Sequence, residues 1–247
     1  MRSWLCFILM FGLPAWAAPS MRVCIDHYPP FQIISDDGIT GESLVALNLL
    51  AKLIGHELVI KTSPNFARCL RMLEVGQVDV VAGLILQPKR QVYASFLPYR
   101  EDSHYLFISR DPDIDIVDYE QLADYTIAVS RHTHYFDRFD QDPELSKMVV
   151  NDLKTAIAML AKQRFDLLIV PEMVLPSIRQ DFAQFDSLFK VHSYRFKPQR
   201  IIYFGFSRKH QLVIEPDMLS TTVESAYEDG LFIKEIEEFT SEHLEWY

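Results

Sequence analysis

The chain has 247 residues, 34 of them acidic and 24 basic, for a formal net charge of −10. That balance, without a basic cluster, argues against nucleic acid or anionic lipid as a partner, because both call for a positive surface. The length allows one or two domains, at about 150 residues per domain, each able to bury a real core.

The first residues read as a leader. Arg2 gives a positive start, residues 5–13 are apolar but too few to span a bilayer, and Ala15-Trp16-Ala17 has the small-x-small pattern of a signal-peptidase site. Cleavage after Ala17 is favoured, since cleavage after Ala18 would put Pro19 first in the mature chain. Residues 1–17 are therefore expected to be a signal peptide, and the mature chain is expected in the periplasm. No cysteine stands at the cleavage site to take a lipid. Export removes Cys6 and leaves Cys24 and Cys69. In an oxidising compartment that pair points to a disulfide sooner than to a metal site or a catalytic thiol. Two buried thiols that never meet are the alternative.

Residues 22–26 read as a short strand stopped by Tyr28-Pro29-Pro30-Phe31, and Asp36-Asp37-Gly38 marks a turn. Leu44, Leu47, Leu50, Ala51 and Ile54 recur at helical spacing, with Gly55 as the left-handed residue that ends the helix. A strand over 58–61 follows, then a helix opened by Pro64-Asn65 and carrying Cys69, a turn at Gly76 and a buried strand. The next loop delivers Arg90 just past that strand's carboxyl end. Strands alternating with helices of about a dozen residues predict an α/β fold of parallel βαβ units. Ligands in such sheets sit outside the carboxyl ends of the strands, so Arg90 is a candidate anion anchor. A surface arginine paired with a nearby carboxylate is the competing reading.

A polar segment, Arg110-Asp111-Pro112-Asp113-Ile114-Asp115, separates this half from a second that repeats the theme. A strand over 126–129 and a helix over 155–161 precede a wholly apolar strand over 165–170, as expected for one covered on both faces. Met72-Leu73 precedes Asp79 by the spacing at which Met159-Leu160 precedes Asp166, so both aspartates are expected at the start of their strands rather than in a site. Lys197-Pro198-Gln199-Arg200 leads into a strand over 201–206, and helices over 218–227 and 233–239 close the chain.

Taken in order, several of these pieces carry a resemblance: the early strand with Tyr28-Pro29-Pro30-Phe31, Gly38-x-x-Gly41, Leu70-x-x-Leu73-x-x-Gly76-x-x-Asp79, Arg90, Phe96-x-Pro98-Tyr99 and Glu228-Asp229-Gly230. The chain resembles the bacterial extracellular solute-binding proteins of the polar-amino-acid type found with ABC importers. The resemblance implies a two-lobed, periplasmic-binding-protein-like clamp, each lobe a mostly parallel sheet flanked by helices, joined by two hinge strands. Lobe one would take residues 18–103 plus 201–247 and lobe two residues 104–200. Tyr28 and Phe66 would wall the site, backbone groups over 82–87, including Gly83 and Ile85, would face the ligand, and Arg90 would take its carboxylate.

Departures from the family pattern are equally specific. Ala82, Gly83, Ile85 and Gln87 replace the usual serine and threonine contacts. Ser130-Arg131-His132-Thr133-His134 replaces a Gly-Thr-Thr-like loop and keeps only Thr133 in place. Pro171 stands where relatives carry the acid that grips the ligand ammonium, with Glu172 one step further. The expected ligand is a small carboxylate-bearing, amino-acid-like molecule, captured by a monomer without a cofactor for an ABC permease. A soluble sensor serving a membrane receptor is an alternative that the same residues permit. So is a cyclohexadienyl-dehydratase-like enzyme using Glu172 or His132 as its acid. His27, His132 and His134 read either as metal-chelating loop histidines or as unrelated polar residues.

Overall fold

The computed structural model describes residues 18–243, so the expected signal peptide lies outside it. The first half runs β1 (Ser20–Ile25), the hairpin β2 (Ile33–Ser35) and β3 (Gly38–Thr40), α1 (Glu42–Leu53), β4 (Glu57–Thr62), α2 (Phe66–Val75), β5 (Val80–Leu84), α3 (Pro88–Gln91) and β6 (Ala94–Glu101). Next come β7 (Tyr105–Ser109), β8 (Thr126–Ser130), α4 (Asp137–Gln141), β9 (Ser146–Val150), α5 (Leu153–Leu160) and β10 (Leu167–Pro171). The chain ends with α6 (Leu175–Asp181), α7 (Phe185–Leu188), β11 (Lys190–Phe196), β12 (Ile201–Ser207), α8 (Pro216–Glu228) and α9 (Leu231–Glu242).

These strands form two five-stranded sheets, ordered β4-β1-β5-β12-β6 and β11-β7-β10-β8-β9. In the first, β1 lies parallel to β4 and β5, and β12 runs antiparallel to β5 and β6. In the second, β8 lies parallel to β9 and β10, and β7 runs antiparallel to β10 and β11. The chain crosses between the sheets twice, after β6 and after β11. Each sheet is parallel along one half, where helical crossovers carry the chain back over its faces, and antiparallel along the other.

Period-two alternation fills both faces of each sheet. Leu106, Ile108, Leu168 and Val170 enter one core of the second sheet, and Phe107, Leu167 and Ile169 enter the other. On the first sheet Met21, Val23 and Ile25 pack with Leu47, Leu50 and Phe232, while Cys24 faces Leu70 and Leu73 of α2. Cys24 and Cys69 are joined in a disulfide, which ties β1 to α2. Two left-handed glycines stop helices where the sequence places them: Gly55 after α1 at φ 69° and Gly76 after α2 at φ 78°.

Asp79 and Asp166 occupy equivalent positions. The Arg22 N–H donates to Asp79 Oδ2 at 2.8 Å, and the Thr126 N–H donates to Asp166 Oδ2 at 2.8 Å. In return Asp79 N–H donates to the Arg22 carbonyl and Asp166 N–H to the Thr126 carbonyl. In each sheet, then, an aspartate ahead of one parallel strand pins the start of its neighbour. Both stand at the amino ends of their strands, away from any site at the carboxyl ends.

Candidate ligand-binding cleft

A cavity of about 120 Å³ lies between the two sheets. A water occupies ~10–15 Å³ on this measure, so the space suits a guest of on the order of ten non-hydrogen atoms. Asp26 follows β1, Gly83 stands near the end of β5, Ser130 ends β8 and Pro171 ends β10, and all four line the cavity. The site therefore sits outside the carboxyl ends of the parallel strands of both sheets. Ser43, Phe66 and Leu153 bring the amino ends of α1, α2 and α5 to its wall. Asn65 fixes the start of α2 by accepting from Arg68 N–H at 3.0 Å, and Asp152 fixes that of α5 by accepting from Thr155 N–H at 2.7 Å.

Of the residues the sequence singles out, Tyr28, Phe66, Gly83, Ile85, Arg90 and Thr133 come together around this cavity. Glu172 is not among the lining residues. It is drawn away by Arg195, whose Nε lies 3.0 Å from Glu172 Oε1. The lining also includes Asp26, Arg100, Asp102 and Tyr105, none of which the sequence reading placed there.

The loop bearing Tyr28 is built tightly onto the start of α1. Tyr28 and Gln32 exchange backbone hydrogen bonds of 2.7 and 3.0 Å, and the Ser43 N–H donates to the Phe31 carbonyl at 2.8 Å. Gly41 permits this approach. Its φ is 115°, and a Cβ there would lie 2.7 Å from the Phe31 carbonyl oxygen, so any side chain would push the loop away. Phe31 stacks on Tyr28 and lies under the Arg100 guanidinium at 4.8 Å.

Two charges in the cleft stand apart by their deep burial, whereas Arg100 is only partly buried and donates to the Glu101 carbonyl at 2.8 Å. Asp102 is neutralised by Arg200. Arg90, only 3% exposed, instead donates to two carbonyls, those of Ile85 at 3.3 Å and His132 at 2.5 Å. Asp26 is 8% exposed, and its burial pushes the carboxyl up to about 6. Among the described residues neither Arg90 nor Asp26 makes an ion pair. A buried cation and a buried carboxyl, both without counter-ions and lining one small cavity, form a pair of complementary subsites for a molecule carrying both charges.

The histidines are separately engaged. His27 Nδ1 accepts from the Ile34 N–H at 3.0 Å, His134 lies between Asp137 and Asp140, and the His132 side chain is exposed. Among the described residues no group of three or more His, Cys, Asp or Glu side chains is placed to hold a metal. No described helix is long and apolar enough to cross a membrane.

A sequence profile of the bacterial extracellular solute-binding proteins, family 3, matches residues 21–203. The chain belongs to that family. Against curated protein sequences no significant match is found. Among solved structures, an ancestral arginine-binding protein bound to arginine is similar at a TM-score of 0.71 and 18% identity, over 89% of this chain and 97% of that one. The periplasmic VFT2 domain of Bordetella pertussis BvgS is similar at a TM-score of 0.72 and 20% identity, over 89% of this chain and 93% of that one. A histidine kinase sensor domain with similarity to periplasmic binding proteins reaches 0.71 at 15% identity, over 89% of this chain and 95% of that one. At these identities the likeness establishes the fold. The family 3 chain is an α/β protein of two helix-flanked sheets with the periplasmic-binding-protein-like architecture.

Proposed function

We propose that this protein is a periplasmic solute-binding protein that captures a small zwitterionic, amino-acid-like molecule between two lobes, residues 18–103 plus 201–247 and residues 104–200. The observation that carries this reading is the joint burial of Arg90 and Asp26 in one cavity, each without an ion-pair partner among the described residues. Arg90 takes the ligand carboxylate through N–H groups that Ile85 and His132 leave unused, in the two-pronged geometry that a guanidinium offers. Asp26 takes the ligand's cationic group. It thereby replaces the acid that relatives carry at the position of Pro171, a role that Glu172 cannot fill while Arg195 holds it. Tyr28 and Phe66 supply the apolar walls, and Gly83 and Thr133 offer polar groups at opposite sides of the cleft. The closed lobes exclude water, which strengthens both charge contacts.

Thermal-shift screening against amino acids, the matching amines and the matching carboxylic acids tests this. Amino acids should stabilise the protein while the singly charged analogues fail. Stabilisation by amines alone, or unchanged hits with Asp26→Asn, would remove the two-charge assignment.

The membrane partner is an ABC permease on this reading. Likeness to the BvgS and histidine kinase sensor domains supports a second reading, a sensor that presents its liganded state to a membrane receptor. A permease gene beside this one favours import, and a receptor gene favours signalling. The dehydratase-like alternative is met by incubation with prephenate or arogenate, where product formation would restore it.

A further inference from the structure

We infer that Arg90 and the backbone of His132 form a latch that holds the cleft closed when no ligand is bound. The inference rests on the same Arg90 as the proposed function, but its test needs no ligand. Arg90 follows β5 of the first sheet and His132 follows β8 of the second, and the Arg90 guanidinium donates to the His132 carbonyl at 2.5 Å across the cleft. This is a charge-assisted hydrogen bond shielded from water, since Arg90 is almost wholly buried.

The turn that presents the carbonyl is built for that aim. Thr133 N–H donates to the Ser130 carbonyl at 3.1 Å, which closes a four-residue turn with His132 third. His132 has φ 61°, the left-handed conformation that glycine normally supplies at that position. The turn is anchored on each side: Arg131 N–H donates to the Val150 carbonyl at 2.9 Å, and Ser130 N–H donates to the Tyr135 hydroxyl at 2.8 Å. A rigid turn in an uncommon conformation, aiming a carbonyl at a buried cation, is a common form of stored strain at functional sites.

A second contact bridges the cleft independently. Phe31, from the first-sheet side, is buried in the core of the second sheet with Leu106, Ile108 and Val170, and Tyr28 packs against the same cluster. The closed arrangement is thus stabilised by contacts internal to the protein. A ligand carboxylate then shares Arg90 with the His132 carbonyl or displaces it, so binding adjusts a clamp that is already shut.

Small-angle X-ray scattering of protein refolded from denaturant, which strips any retained ligand, tests the latch. Wild type should be compact, with a scattering curve matching the closed structure. Arg90→Ala should shift to a larger radius of gyration. His132→Val should shift the same way, because a β-branched residue resists the left-handed conformation, whereas His132→Gly should stay compact. Circular dichroism verifies folding, and the exposed His132 carries the test should Arg90→Ala not fold. Wild type as expanded as the variants, or variants as compact as wild type, overturns the latch. Loss of ligand binding without expansion would do the same while leaving the proposed function standing.

Discussion

Asp102 and Arg200 stand on the two crossings between the sheets and bind each other there, with Arg200 Nε 2.7 Å from Asp102 Oδ2. Their backbones are joined as well, the Asp102 N–H donating to the Arg200 carbonyl at 3.0 Å. Arg200 also reaches the Tyr105 hydroxyl at 3.1 Å and the His134 carbonyl at 3.4 Å. A single buried ion pair therefore couples both hinge segments to each other and to the second-sheet loop that faces Arg90. Asp102 lines the cleft without offering it a free charge, because Arg200 pairs with it.

Breaking this pair from one side should be costly. The Asp102 side chain is 4% exposed, so Arg200→Met strands a buried carboxylate and should lower stability by about 3–5 kcal/mol. Adding Asp102→Asn should recover part of that loss, since the stranded charge is gone. Urea unfolding of the two single variants and the double variant measures the coupling. A loss for Arg200→Met below about 1 kcal/mol would place the pair among exposed ones of little worth.

Two buried aspartates give the unliganded protein opposite responses to pH. Burial alone would raise Asp79, but hydrogen bonds from Arg22 and from the Gln211 N–H outweigh it and hold the carboxyl below its usual 3.8. The stability it contributes is complete above the unfolded value, about 3.9, and is lost as pH falls through the lower folded value. Asp26 behaves in reverse. With a folded value near 6, it is protonated in the folded state and ionised in the unfolded one between about pH 4 and 6, so stability falls as pH rises through that window. The full cost is roughly 3 kcal/mol at 1.36 kcal/mol per unit. Unfolding free energies at a series of pH values should peak near pH 4, and Asp26→Asn should flatten the upper limb. Equal slopes for wild type and Asp26→Asn between pH 4 and 7 would contradict the assignment.

The disulfide should stabilise both the fold and one cavity wall. It closes a loop with a sequence separation of 45, worth about 4 kcal/mol on the chain-entropy account. Cys69 lies one turn beyond Phe66 on α2, so its loss also frees the start of that helix. The double variant Cys24→Ser, Cys69→Ser should show a matching drop in chemical denaturation and weaker binding of any ligand found. A drop under about 1 kcal/mol would mean that the α2 packing alone carries the wall.

The central pieces of both sheets were legible because they combine strong periodicity with clear stops. α1 and α2 end at left-handed glycines, and β10 is apolar along its length and buried on both faces. Arg90 could be found because it follows a buried strand's carboxyl end and matches the family order, although the short helix α3 carries it where the sequence suggested a loop. Asp26 was passed over because it reads as the last residue of a strand. Its signal, a charge at a strand's carboxyl end just before an aromatic turn, matches that of Arg90 with the sign reversed. Arg100, Asp102 and Arg200 were not recoverable from local pattern. Asp102 and Arg200 meet across 98 positions of sequence, and only the antiparallel pairing of β6 with β12 brings them together. Glu172 stands one residue beyond the family spacing and does not line the cleft, and a neighbouring arginine on β11 holds it.

The most direct measurement is a calorimetric cycle on Arg90 and the ligand carboxylate, using an amino acid hit and its carboxamide with wild type and Arg90→Ala. A carboxylate–guanidinium contact in this cleft is worth about 4 kcal/mol at an effective dielectric of 20 and 4 Å. Wild type should therefore bind the acid at least about 100-fold more tightly than the amide, at 1.4 kcal/mol per tenfold. Arg90→Ala should bind the acid weakly and no longer tell the two apart. Equal binding of acid and amide by wild type, or a preference that survives Arg90→Ala, would contradict the account.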